Sequence, residues 1–171
     1  MRESIFQNEW IASWRHFYPS CHIYKIPDAI KSSESRFLAK KPYDIDALFD
    51  GRAYKMELKL QTKVGAFSFD SVTEWQIKNL KEAKDNGAVA VIAVNYRTQK
   101  VSGQAKKKFG LDGMLNVVYV LDVDFFNSLD RNIYRKSIPF EDLHFNSKVL
   151  QVGRVDGFWD IRKIIERRVK C

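Results

Sequence analysis

The chain of 171 residues is 45% hydrophobic and 13% aromatic, with no proline-rich, glycine-rich or low-complexity stretch long enough to act as a linker. A single domain spanning residues 1–171 with a substantial apolar core is expected, and disorder is excluded. The formal charge is +8, from 29 Lys and Arg against 21 Asp and Glu, an excess that attracts polyanions without reading base sequence.

From Glu3 to Phe17 the aromatic residues Phe6, Trp10, Trp14 and Phe17 recur at helical spacing, which predicts an amphipathic helix ending before Pro19. The same opening segment carries acidic and polar residues where a signal peptide needs an apolar core. No later apolar run reaches the roughly 18 residues of a spanning helix, so no membrane partner is expected. Cys21 to Ala29 reads as an extended segment stopped by Pro27 and Asp28, and the polar, basic run Lys31 to Lys41 as a loop or a short exposed element. Residues 43–49 (YDIDALF), Asp50-Gly51 and residues 53–60 (AYKMELKL) predict a strand, a turn and a second strand.

In that second strand Tyr54, Met56, Leu58 and Leu60 share one face, and Lys55, Glu57, Lys59 and Gln61 share the other. The apolar row is expected in the core, which leaves the polar row lining solvent or a cleft. Ser71 to Asn86 predicts a helix with Val72, Trp75 or Gln76, Asn79 or Leu80, and Ala83 inward, ended by Gly87. The run AVAVIAVNY, residues 88–96, predicts a strand covered on both faces. Thr98 to Lys108 reads as a polar loop or hairpin, Asn116 to Val123 as a strand, Phe125 to Asn132 as a short helix, and Trp159 to Val169 as a helix anchored by Ile161, Ile164, Ile165 and Val169. This alternation of helix and strand predicts an α/β fold.

The positive charge gathers in two patches, one containing Lys100, Lys106, Lys107 and Lys108, the other Arg162, Lys163, Arg167, Arg168 and Lys170. A solvated basic face is the plain alternative to phosphate binding. Cys21 and Cys171 have neither the number nor the spacing of a disulfide scaffold or zinc knuckle, which fits a reducing, cytoplasmic setting. His16, His22 and His144 lack the spacing of a zinc site, and Ser13 has no visible His partner.

The chemistry-bearing pattern is Asp44 followed 13 residues later by Glu57-Leu58-Lys59. Phosphodiester hydrolysis needs oxygen ligands for a hard divalent ion and a group that orients or deprotonates water. Two carboxylates and a lysine supply those parts, and the strand period sets Glu57 and Lys59 side by side on one face. Alternating Lys and Glu on a solvent-facing strand is the ordinary alternative.

With these residues the chain resembles the PD-(D/E)xK, or restriction-endonuclease-like, nucleases, and within them the RecU-type Holliday-junction resolvases and their phage relatives. The resemblance rests on Ile26-Pro27-Asp28-Ala29, Lys41-Pro42-Tyr43-Asp44, Gly51-Arg52, Met56-Glu57-Leu58-Lys59, Phe67-Ser68-Phe69, Gln76-Ile77-Lys78-Asn79-Leu80 and Trp159-Asp160-Ile161. It implies a mixed central sheet flanked by helices. It further implies that Asp44 and Glu57 ligate Mg²⁺ or Mn²⁺ together with the Leu58 carbonyl, and that Lys59 helps to activate water. Asp46 shares the strand face of Asp44 and is the substitute should the register differ. Gln76 matches a family glutamine placed to orient a water or touch a phosphate, and Asp28 is either near the site or a turn residue.

The chain departs from the family in its first helix, where relatives carry a Glu and this sequence has Gln7. Either a neutral oxygen serves there, or Glu3, one turn earlier on the same face, reaches the ion. The resemblance implies an endonuclease acting on branched DNA as a homodimer. Among the basic residues, Lys40, Lys41 and Lys106 to Lys108 are the expected contacts to the phosphate backbone. The alternatives are a flap, nicking or single-strand nuclease of the same fold, and a non-catalytic DNA-binding protein with a decayed metal site.

Overall fold

A computed structural model describes residues 2–27, 40–111, 113–132 and 135–166, without the side chains of residues 130–132. Its elements begin with α1 (Glu3–Phe17), β1 (His22–Lys25), β2 (Ile45–Phe49), β3 (Arg52–Gln61) and β4 (Phe67–Ser68). They continue with α2 (Glu74–Asp85), β5 (Val89–Thr98), α3 (Gly103–Phe109), β6 (Leu115–Asp122) and α4 (Val123–Asn132). The chain then forms β7 (Ser137–Ile138), α5 (Phe140–His144), β8 (Leu150–Val152), β9 (Arg154–Val155), β10 (Phe158–Trp159) and α6 (Arg162–Glu166). Among the described residues, no helix is long and apolar enough to cross a membrane.

Six strands form a mixed sheet in the order β1-β2-β3-β5-β6-β8, flanked by helices. Only the β3–β5 pairing is parallel; the other neighbours are antiparallel. A parallel pair needs a crossover, and α2 lies within the connection that supplies it. On one face α1 packs Phe6, Trp10 and Trp14 against Tyr54, Met56 and Leu58, with Trp159 joining them. On the other face Leu80 of α2, Phe126 of α4 and Phe140 of α5 cover Ile92, Val94, Tyr96 and Tyr119. Side chains of this kind each contribute about 1.5–3 kcal/mol on full burial. β5 is buried from Val89 through Tyr96 because both its faces meet a core.

The period of β3 therefore separates its two rows. Tyr54, Met56 and Leu58 enter the α1-side core, while Glu57 stands on the α2 side. Leu60, read as part of the apolar row, is only partly buried.

Two elements differ from the sequence reading. The stretch read as a polar loop holds the end of β5 and the helix α3, which Ser102 caps through Ala105 N–H and which Gly110 ends in the left-handed conformation at φ +65°. Its Ala105 is buried, so the run of lysines is the outer face of a helix. Trp159 does not open the last helix, because Asp156 and Gly157, at φ +51° and +84°, turn β9 back on β10. Trp159 is thereby fixed in a hairpin, and α6 starts only at Arg162.

Ser13 and Glu9 bind this hairpin to α1. Ser13 Oγ accepts Trp159 N–H at 2.9 Å and donates to Glu9 O at 2.7 Å. The Glu9 carboxylate pairs with both Arg97 and Arg154, which also lie against the Trp159 ring.

Candidate active site

The site grows from the β2–β3 hairpin. Asp50 and Gly51 both have positive φ, 49° and 69°, which suits a two-residue turn and pairs Phe49 with Arg52 through to Ile45 with Met56. Continued by one step, that register sets Asp44 opposite Glu57. The ladder is modified there. Asp44 N–H donates to Met56 O at 3.1 Å, and Asp44 Oδ2 accepts the Leu58 N–H at 2.9 Å. A carboxylate thus replaces a backbone acceptor just before β2 begins. Since N–H and C=O of one strand residue point to the same side, the Leu58 carbonyl opens toward Asp44.

Glu57 is fully buried. Its Oε1 meets Lys59 Nζ at 2.6 Å and Gln76 Nε2 at 2.7 Å, whereas its Oε2 has no partner. Burial, seconded by the charge of Asp44 and opposed by Lys59, pushes its carboxyl up to about 7. Asp44 Oδ1 forms an ion pair with Lys41 Nζ at 2.7 Å. Two buried carboxylates are therefore each matched with one lysine.

Gln76 reaches Glu57 because of how α2 begins. Thr73 is the N-cap; its side chain accepts Gln76 N–H while Gln76 Oε1 accepts Thr73 N–H, closing a capping box. The amide of Gln76 is thus held between the helix start and the carboxylate.

Glu3 approaches from the first turn of α1. Its carboxyl is raised by burial, with the neighbouring Lys59 opposing and Asp44 adding to the shift. Gln7, one turn on, is buried on the inward face of the same helix and brings no charge. Asp46 is drawn elsewhere, pairing with Lys55 at 2.5 Å and accepting from Tyr43 at 3.4 Å. It does not substitute for Asp44. Asp28 lies outside the described residues, as do Arg167, Arg168, Lys170 and Cys171.

Among the described residues, no three His, Cys, Asp or Glu side chains form a ready metal cage. The donors present nevertheless suit a small hard cation, because Mg²⁺ keeps several waters and needs only one or two carboxylates alongside substrate phosphate. The unpartnered Oε2 of Glu57, the Asp44 carboxylate and the Leu58 carbonyl are donors of that kind.

No protein-family model and no curated protein sequence matches the chain. Among solved structures it is similar to Hjc, a Holliday junction resolvase from the archaeal hyperthermophile Archaeoglobus fulgidus. That likeness has 13% identity and a TM-score of 0.40, covering 80% of this chain and 85% of that one.

The lysines expected on DNA divide by their surroundings. Lys40 is exposed, and its carbonyl accepts the Trp75 indole N–H at 3.2 Å. Lys41, expected on the phosphate backbone, is paired with Asp44 at the carboxylate site. Lys106, Lys107 and Lys108 are exposed in the last turn of α3, with Lys108 paired to Glu141 at 3.0 Å. Because β3 and β5 run parallel, α3 follows β5 at the sheet end toward which Glu57 and Lys59 also lead. The sequence reading missed the Lys41–Asp44 pair. In an irregular segment no periodic rule links a lysine to an aspartate three residues on.

Proposed function

We propose that the chain is a Mg²⁺- or Mn²⁺-dependent endodeoxyribonuclease of the PD-(D/E)xK type that hydrolyses phosphodiester bonds of branched DNA, with a four-way junction as substrate. The observation that carries this reading is Glu57, fully buried beside Asp44, with Lys59 on one oxygen and no partner on the other. Burying a carboxylate is costly unless its charge is used or balanced, and here one lone-pair face is left open.

Asp44, Glu57 and the Leu58 carbonyl would hold the metal, with Glu3 entering from α1 in place of Gln7. Bound there, the ion acts as a Lewis acid and lowers the pKa of a water. Lys59 places an ammonium beside Glu57, where it orients the attacking water and balances charge growing on the phosphate. Gln76 keeps the Glu57 carboxylate from rotating. Lys40 and the α3 lysines hold backbone phosphates, so substrate choice depends on DNA shape more than on base edges. A junction requires two symmetric cuts, and a cytoplasmic homodimer with two such sites meets that need.

The test is cleavage of labelled four-way, flap, linear duplex and single-stranded DNA, with and without Mg²⁺ or Mn²⁺, beside Glu57→Ala. Paired cuts in the junction that require both metal and Glu57 are expected. Preferential cutting of flap or single-stranded DNA would keep the metal chemistry and replace the substrate. Metal-independent binding without cleavage of any arm would assign the chain to non-catalytic DNA binding.

A further inference from the structure

Several large apolar side chains are exposed, among them Ile5, Tyr24, Leu48, Trp75 and Phe145. Among the described residues in this group, Trp75 alone adjoins in sequence a residue bonded to Glu57, namely Gln76. It is also tied to the other side of the site. Its indole N–H donates to Lys40 O at 3.2 Å, and the next residue, Lys41, pairs with Asp44. The ring is therefore held between the two segments that position the carboxylates, yet Trp75 remains 40% exposed.

An indole whose only polar atom already has a partner offers what remains, an apolar aromatic face. The surroundings favour an anionic strand: Lys40, whose carbonyl holds the indole, is exposed, and Lys78, exposed and loosely paired with Glu82 at 3.8 Å, lies three residues further along α2. The flat partner that arrives attached to phosphates is a nucleobase.

We infer that Trp75 is a stacking platform for an unstacked nucleobase next to the phosphate to be cut. This rests on the nuclease reading and narrows its substrate class. Inside a continuous duplex both faces of every base are covered by neighbours, so a base reaches Trp75 only where stacking is interrupted. Branch points and single strands meet that condition, and an intact linear duplex does not. Trp75 thus acts as a specificity residue, separate from the carboxylates and Lys59 that act on the phosphate.

The test uses the full chain with Ca²⁺ in place of Mg²⁺, and DNA carrying 2-aminopurine at the nucleotides flanking the cut. Wild type, Trp75→Phe, Trp75→Leu and Lys59→Met are titrated with a four-way junction, a single strand and a continuous duplex. Wild type and Lys59→Met are expected to change 2-aminopurine fluorescence on the junction and single strand. Trp75→Leu is expected to lose that change and about 10-fold in affinity for those two substrates, with duplex binding unaltered. Trp75→Phe keeps a ring and is expected to retain most of both.

Equal losses on all three substrates, or unchanged behaviour of Trp75→Leu, would overturn the inference. Absence of a fluorescence change with wild type overturns it without any variant, so poor folding of Trp75→Leu leaves the test decisive. The nuclease reading fails separately, if wild type with Mg²⁺ cuts no substrate while the stacking signal persists.

Discussion

Gln76 Nε2 donates to Glu57 Oε1 across 2.7 Å, while the same amide's oxygen closes the capping box with Thr73. The start of α2 and the orientation of a buried carboxylate on β3 are therefore one structural unit. Gln76→Ala removes both links and is expected to cost about 1–2 kcal/mol of stability together with a loss of cleavage rate. Thr73→Ala weakens the cap by about 1 kcal/mol while leaving the amide beside Glu57. Thermal denaturation paired with single-turnover cleavage separates the two: Thr73→Ala should lose stability with little loss of rate. Equal rate losses in both variants would mean that Gln76 acts only through the helix start.

Glu57 makes the stability of the metal-free protein depend on pH. Its folded-state carboxyl lies at about 7, above the ordinary 4.5, so protonation favours the folded state. That contribution is fully present below about pH 4.5 and is lost as pH rises through about 7, with an upper magnitude on the order of 3 kcal/mol. Other groups titrate as well, so the diagnostic is the difference from Glu57→Gln, which should be the more stable protein at pH 8. Mg²⁺ requires the ionised carboxylate, and its upward shift of the melting temperature should be larger at pH 8 than at pH 6 and much reduced in Glu57→Gln. A Mg²⁺ shift that is equal at both pH values, or survives unreduced in Glu57→Gln, would remove Glu57 from the ligand set.

Much of this hairpin was legible in the sequence. Asp50-Gly51 fixes the turn, the turn fixes the register, and the alternation in β3 opposes Glu57 to the core-facing Met56 and Leu58. The full burial of Glu57 was not legible, because it depends on α2 closing over β3, a contact between segments nineteen residues apart. The two faces of β5 were visible as an unbroken apolar run. In contrast, α3 was hidden because its apolar contribution is small and its outer face is lysine-rich. Trp159 reads as the first residue of a helix whose anchoring face is Ile161, Ile164, Ile165 and Val169. The positive φ values at Asp156 and Gly157 decide otherwise.

The α3 lysines give a prediction that separates phosphate contact from a solvated surface. Each phosphate contact contributes about 0.9 to the slope of log affinity against log salt for duplex DNA. Replacing Lys106, Lys107 and Lys108 together by Ala should lower that slope by less than three contacts' worth, because Lys108 must first leave Glu141. Binding measured over a salt series checks this, with Glu141→Gln expected to strengthen DNA affinity by releasing Lys108. A triple variant with the wild-type slope would show that the helix faces away from DNA.

Lys59 is the residue on which the catalytic reading depends most. Its ammonium sits 2.6 Å from Glu57 Oε1, so it both screens a buried negative charge and stands where a phosphate approaching the two carboxylates would arrive. Lys59→Met retains most of the side-chain length and its apolar stem while deleting the charge. The variant should fold and bind DNA. Without the ammonium, however, Glu57 is driven further toward its protonated form, since Lys59 is a group that opposes the effect of burial. Rates must therefore be compared at saturating Mg²⁺ and at a pH well above 7, where loss of metal does not imitate loss of catalysis. Under single-turnover conditions at about pH 8.5, roughly 1.5 pH units above the Glu57 value, cleavage should fall by roughly 10²-fold or more, the scale of losing a positioned electrostatic or proton-transfer group. A near wild-type rate would reduce Lys59 to a counterion for Glu57, and a deficit that vanishes as Mg²⁺ rises would assign it to metal affinity alone.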